Sequence, residues 1–507
     1  MKTTLRPISL VVLVSAALAA CGGGGGGGSS SGSGSGGSAG LVPSASVAAS
    51  CANPRTGLDP NTGRAYTDRP GSLANEKTWV RSWIDETYLW YDEVPVDLNA
   101  SDYGTPQAYF DVLKTPLKTA SGQPKDRFHF TMETAGWDDF VSGTASVGYG
   151  MELAVLQGYP PRDVRVAYVA PGGPAALAGL ARGDKLLTLD GVDVANGPPD
   201  PLNAALAPTR AGEAHSVVAV SSGGTQRSVS LAASTFASPP VLNVKSIPSG
   251  GGLVGYLQFN DHIDPAEAQL VAAIQKFKND GVNGLVLDLR YNGGGLLGIA
   301  SELAYMVAGP SATQGKTFER LVTNRKNPYG WAPGASSLPF QSTALGYSTS
   351  AGQPLPYLGL NKVTVLAGPD TCSASESLVN GLRGIGVQVD LVGNTTCGKP
   401  YGFYAEDNCG TTYFAINFQG VNAQGYGDYG DGMAPGCVVA DDFTRDLGDP
   451  GEARLAAALT MRAGGACPTS TGSGAQKAGS ALIEPPYLRR DPVREIKRID
   501  ERVQPQS

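Results

Sequence analysis

The chain has 507 residues, a formal net charge of −7 and 41% hydrophobic residues. At roughly 100–200 residues per domain it is too long for one ordinary core, and it is apolar enough to build more than one. The acidic balance argues against nucleic acid as a partner, because phosphates demand a basic face. The three histidines, His129, His215 and His262, lie in no motif that places one beside a nucleophile, so a Ser–His–acid triad is not expected. Histidine-rich metal sites are equally unsupported, and no metal or cofactor is implied.

The first stretch reads as an address. Lys2 and Arg6 precede a short apolar run from Ile8 to Ala20. That run is shorter than the roughly 20 residues a spanning helix needs, and residues 1–20 read as a cleaved signal peptide. Leu18-Ala19-Ala20-Cys21 resembles the bacterial lipobox. The resemblance implies that Cys21 becomes a lipidated N-terminus, and Gly22 in place of aspartate implies the periplasmic face of the outer membrane. Gly, Ser and Ala dominate residues 22–50. They are expected to form a flexible linker averaging roughly 30 Å end to end. Beyond Cys21, six cysteines remain: Cys51, Cys372, Cys397, Cys409, Cys437 and Cys467. An even number in an oxidising compartment predicts disulfides, but composition leaves their pairing open.

Residues 51–144 are expected to form a helical N-terminal domain. Trp79, Trp83, Tyr88, Leu89 and Trp90 fit an apolar helical face, and Tyr88-Leu89-Trp90-Tyr91 reads as core. Residues 145–235 change character. Val164 to Val169 alternates as a strand, Pro174 suits the first turn of a short helix, and Leu186, Leu187 and Leu189 precede a hairpin turn at Asp190-Gly191. The run from Gly172 to Gly191 resembles a PDZ domain of the bacterial protease type. By that resemblance Tyr149, Gly150 and Met151 form the loop that captures a peptide C-terminus through backbone N–H groups, with the peptide added as an edge strand.

Residues 236–467 alternate strands and helices, which predicts an α/β core. Strands are expected over Leu253–Phe259, Gly284–Leu289 and Val363–Ala367, with a helix from Pro265 to Asp280. Residues 468–507 are polar and are expected to be a tail, disordered or loosely docked.

Chemistry concentrates in three segments of this core. Asp288-Leu289-Arg290-Tyr291-Asn292-Gly293-Gly294-Gly295 ends a buried strand in glycines, where backbone N–H groups could hold an oxyanion. Thr371-Cys372-Ser373-Ala374-Ser375-Glu376 follows a strand and opens a helix, which suits a nucleophile. Ser373 with Glu376 also fits a capping box, so the segment alone leaves both readings open. Thr395-Thr396-Cys397-Gly398-Lys399-Pro400 follows a further strand. Together they resemble the tail-specific, or C-terminal-processing, serine peptidases over roughly residues 145–445. The resemblance implies a crotonase-like α/β core with Ser373 as nucleophile and Lys399 as general base. It makes Gly294, Gly295 and Ala374 oxyanion residues, and Glu376 and Thr396 supporting residues. Two positions depart from the family pattern: Phe403 stands where a glutamine often orients the lysine, and Gly384 where some members carry an acid.

A free lysine titrates at about 10.4, so a lysine base has to be held neutral, and burial supplies that shift. Lys399 is therefore expected to be buried, without a paired carboxylate, near Ser373 Oγ. If the two meet, a Cys372–Cys397 bridge is plausible, with Cys409 or Cys437 as the other partners for Cys397. The expected function is a serine endopeptidase acting on envelope proteins or peptides. The competing readings are an inactive membrane-tethered PDZ peptide-binding protein and a crotonase-like acyl-thioester enzyme. Export argues against the last.

Overall fold

The computed structural model describes residues 41–60, 63–141, 146–331, 336–468 and 497–498. Cys21 and most of the predicted signal, linker and tail lie outside them. The linker ends earlier than its composition implied. Ser44 N–H donates to Glu86 (2.8 Å), Ala49 N–H donates to Asn408 Oδ1 (2.8 Å), and Val47 and Ala48 pack on an aromatic cluster. Small apolar side chains with a waiting hydrophobic surface are enough to order residues 42–50.

Helix α1 (Leu73–Thr87) is capped by Ser72, whose hydroxyl accepts from Asn75 N–H. Trp79, Val80, Trp83 and Ile84 are buried on one face at helical spacing. Beyond Thr87 the chain is less helical than expected: it turns irregularly through two single 3-10 turns, with short helices over Pro106–Phe110 and Thr134–Val141. The reason is tertiary. Strand β1 (Phe130–Glu133) pairs antiparallel with Thr411–Phe414, and the α1 face packs with Phe110, Phe403, Tyr413 and Phe414. The N-terminal segment thus shares one core with residues 403–416, and Cys51–Cys409 ties them covalently.

The second unit is an antiparallel sheet of β2 (Met151–Gln157), β3 (Asp163–Val169), β4 (Lys185–Leu189), β5 (Ala214–Val220) and β6 (Gln226–Ala232). Its order is β6-β5-β4-β3-β2, which leaves β2 as an edge. Helix α2 (Pro199–Leu206) and a short helix over Pro174–Leu177 cover its apolar face. The Asp190-Gly191 turn joins Leu189 to Val192 as expected.

The core sheet contains β7 (Val241–Ser249), β8 (Gly252–Phe259) and β9 (Gly284–Asp288). Helix α3 (Ala266–Asp280) links β8 to β9 and ends on Gly281 in the left-handed conformation. A two-residue strand, β10 (Gly295–Leu296), leads into the wholly buried helix α4 (Leu297–Ala308). Then follow β11 (Lys362–Ala367), helix α5 (Ala374–Gly384), β12 (Gln388–Gly393), a short β13 (Tyr401–Gly402), β14 (Cys437–Val438) and helix α6 (Ala453–Arg462). The order is β7-β8-β9-β11-β12-β14, with only β7 antiparallel. The near-continuous apolar runs of β9 and β11 are what a strand covered on both faces requires. Last in the chain, β15 (Lys497–Arg498) pairs parallel with β10.

A buried charge cluster joins the PDZ-like sheet to the core. Arg290, at the end of β9, donates to Asp288 (2.9 Å), to Asp441 (2.7 Å) and to both oxygens of Glu452 (2.8 and 2.9 Å). Arg182, from the PDZ-like unit, donates to Asp441 (2.5 Å) and to the Tyr291 hydroxyl (2.9 Å). Burial pushes Asp441 up, but Arg290, Arg454 and Arg182 outweigh it and hold the carboxyl well below its usual range. Removing one partner strands buried charge, which costs about 3–5 kcal/mol. Arg290→Met is expected to lower stability by about that amount in a denaturant titration. A change under about 1 kcal/mol would mean that the cluster contributes little.

Candidate active site

Parallel α/β sheets place their sites beyond the carboxyl ends of the strands. The segments that follow β9, β11 and β12 converge there. Thr371 Oγ1 donates to Leu289 O (2.8 Å), and Cys372 N–H donates to Asn292 O (3.1 Å). Cys397 N–H donates to Thr371 O (3.0 Å), and a Cys372–Cys397 disulfide closes the pair. The remaining bridge is Cys437–Cys467, so neither Cys409 nor Cys437 is the partner of Cys397.

Glu376 is the centre of this arrangement. Its carboxylate accepts from Ser373 N–H (3.0 Å), Lys399 N–H (2.8 Å), Gly398 N–H (2.9 Å) and the Thr396 hydroxyl (2.5 Å). Burial raises its pKa, and these donors pull it only part of the way back. Thr396 Oγ1 in turn accepts from Met433 N–H (2.7 Å). Glu376 thus makes the capping-box bond to Ser373 N–H while serving the loops of both candidate residues.

Ser373 is fully buried, and its hydroxyl has no hydrogen-bond partner among the described residues. Its backbone sits at φ 60°, ψ −116°, a strained region for a residue with a Cβ. A buried hydroxyl left without a partner costs about 1–3 kcal/mol, and such orphans call for a functional explanation. Lys399 is 1% exposed. Its Nζ lies over the rings of Phe403 (4.2 Å) and Phe128 (4.6 Å). Phe403, where the family often has an orienting glutamine, thus gives the amine an aromatic face. Gly384 packs so close to Asn422 that an added Cβ would sit 2.7 Å from the asparagine Cβ, leaving no room for an acid.

Gly294 (φ 109°) lies against Ser373: a Cβ added to it would come 2.7 Å from Ser373 Cβ and 2.9 Å from Ala374 N. Its N–H donates to Asn292 Oδ1 (2.9 Å) in this arrangement. Ala374 opens α5, whose first-turn N–H groups have no acceptor within the helix. Gly295 begins β10 and bridges to His262. Among the described residues one group has metal-ligand proximity, Cys372, Glu376 and Cys397. Its two sulfurs are bonded to each other and offer no thiolate.

Comparison with known proteins fits this geometry. Residues 253–402 match the model of peptidase family S41, residues 75–130 its N-terminal domain, and residues 165–218 a PDZ domain. A carboxyl-terminal-processing protease of Picosynechococcus sp. is 30% identical over 350 residues, 66% of this chain and 74% of that protein. The chain belongs to peptidase family S41. A chloroplastic C-terminal processing peptidase of Tetradesmus obliquus is 30% identical over 261 residues, 48% of this chain and 51% of that one. A crystal structure from Bacteroides fragilis assigned to the S41 proteases superposes with a TM-score of 0.59 at 22% identity, covering 76% of this chain and 97% of its own. That likeness speaks for the fold.

The three PDZ-loop residues of this S41 peptidase are held by contacts within the domain. Tyr149 is buried, and its hydroxyl donates to Ala205 O (2.8 Å), tying the loop to α2. Gly150 (φ 64°) passes so close to the Phe236 ring that an added Cβ would meet it at 3.2 Å. Met151 begins β2, the edge strand.

Sequence reading missed His262, Asn292, Arg127 and Phe128. His262, Arg127 and Phe128 come from distant segments and carry no motif, while Asn292 lies in the glycine segment itself, where nothing local marks its side chain as a partner of Gly294 N–H. Arg127 donates to Cys397 O (2.5 Å). His262 is fully buried; its Nδ1 lies 3.1 Å from Asn292 Oδ1, the atom that also holds Gly294 N–H. Burial lowers His262 from its usual 6.5 to about 4. The native state therefore stays neutral while the unfolded chain takes a proton near pH 6.5. The stability is fully present above that pH and is lost as pH falls toward about 4, by roughly 3 kcal/mol. His262→Gln keeps a donor for Asn292 and should flatten this loss when the thermal midpoints of parent and variant are measured side by side between about pH 8 and about pH 4. Superimposable slopes for the two proteins would show that His262 is not its source.

Proposed function

We propose that this S41 peptidase cleaves peptide bonds with Ser373 as nucleophile and Lys399 as general base, and that it works in the bacterial envelope as a lipid-anchored endopeptidase. The observation that carries the reading is the buried, unpartnered hydroxyl of Ser373, on a strained backbone against Gly294. Glu376 ties its loop to that of the buried Lys399.

In this mechanism neutral Lys399 takes the Ser373 proton as Oγ attacks the substrate carbonyl. The oxyanion is held by Ala374 N–H, with Gly294 N–H and Gly295 N–H as further donors once the loop adjusts and Asn292 yields Gly294. The lysine then passes its proton to the leaving amine, and water repeats the sequence on the acyl ester. The aromatic faces of Phe128 and Phe403 keep bulk water from the amine. They also favour the ammonium formed in the transition state, a contribution of about 0.5–2 kcal/mol. Phe403 thus does part of the orienting work that falls to glutamine elsewhere in the family. A substrate C-terminus docks at Tyr149-Gly150-Met151 and extends along β2. Partners are protein or peptide substrates, plus the membrane through Cys21.

Ser373→Ala and Lys399→Met, which keeps the volume of the buried side chain, should each reduce cleavage of an unstructured protein by about 10³-fold or more, with little change in thermal midpoint. Full turnover by either variant contradicts the pair. No turnover by the parent protein would favour the tethered PDZ peptide-binding reading. Cys21→Ser should release the protein from the membrane fraction and abolish its labelling by radioactive palmitate. Unchanged fractionation would remove the anchor from the account.

A further inference from the structure

The polar tail returns to the site. Lys497 and Arg498 form β15, parallel to β10 in the register Gly295↔Lys497 and Leu296↔Arg498. On its other side Gly295 is bridged to His262. The tail thus takes the edge of β10 that would otherwise be open. It also runs beside β13, which begins two residues after Lys399. The backbone of this segment therefore lies between the glycine loop that touches Ser373 and the segment that carries Lys399.

An open strand edge is a template for any extended chain, because its affinity comes from main-chain hydrogen bonds. A substrate has to be extended to present its scissile bond. A two-residue ladder is weak in trans. Tethering changes that, since a linked segment competes at an effective concentration of about millimolar.

We propose that the β10 edge is a binding site for extended polypeptide and that the chain's own tail, through the backbone of Lys497 and Arg498, occupies it and competes with substrate. The activity readout rests on the peptidase reading. The site itself is tested separately by binding.

Proline has no N–H to donate to a ladder. The test uses the full-length protein carrying Lys497→Pro and Arg498→Pro, assayed on an unstructured fluorogenic peptide. The expected result is a KM lowered about fivefold or more with kcat within about twofold. A synthetic peptide of residues 490–507 should then inhibit the proline variant competitively and restore the higher KM. In parallel, the same peptide, fluorescently labelled, is titrated into the proline variant carrying Ser373→Ala and into full-length Ser373→Ala. Anisotropy should report saturable binding to the first and at least about fivefold weaker binding to the second. Identical kinetics with no binding of the peptide would overturn the proposal. Binding with this preference, but with no cleavage by any form, would support the tail site while overturning the peptidase reading.

Discussion

The whole arrangement hangs on one buried carboxylate. Glu376 accepts a hydrogen bond from the backbone of Ser373 and from the backbones of Gly398 and Lys399. Such a group is expensive to bury, and it is tolerated because its lone pairs are met by donors from two chain segments. The geometry that satisfies Glu376 also sets Ser373 and Lys399 on facing loops. The Cys372–Cys397 bridge fixes the same approach covalently. A disulfide closing a loop of this length contributes about 2–4 kcal/mol. Noncovalent and covalent ties thus restrain the same two loops.

A second buried network reaches the site from the PDZ side. Arg182 meets Asp441 and Tyr291, and Tyr291 also contacts Asp441 through its hydroxyl. Asn292, the next residue, holds Gly294 N–H and the His262 ring. The outer face of β2 and β3 packs Ala154 and Ala167 with Tyr291 and Phe443. The PDZ unit is therefore in direct contact with the strand end that supplies the glycine loop. Arg454 secures the neighbouring strands by donating to Ala367 O (3.2 Å) and Val439 O (3.0 Å).

Much of this was legible in the residues. The apolar runs of β9 and β11, the helix ending at Gly281 and the Asp190-Gly191 turn follow from local chemistry, and they appear where expected. The approach of Cys372 to Cys397 followed from the family resemblance. The aromatic box around Lys399 did not, because Phe128 lies far away in the chain and nothing local marks it. Nor did the sharing of one core between α1 and residues 403–416, which is a matter of pairing between distant strands. The docking of Lys497 and Arg498 was equally hidden, since ladder bonds are made by backbone and leave no signature in side-chain type. The ordering of residues 42–50 is hidden in the sequence because small residues look featureless until the surface that orders them is known.

The central claim is that one hydroxyl and one uncharged amine act as a single unit. Rapid acid quench during turnover of a peptide ester, followed by mass spectrometry of the digest, tests it most directly. The account predicts an acyl adduct on the fragment containing Ser373, and none when Lys399 is replaced by methionine. An adduct on another residue, or one formed equally well without the lysine, would contradict it.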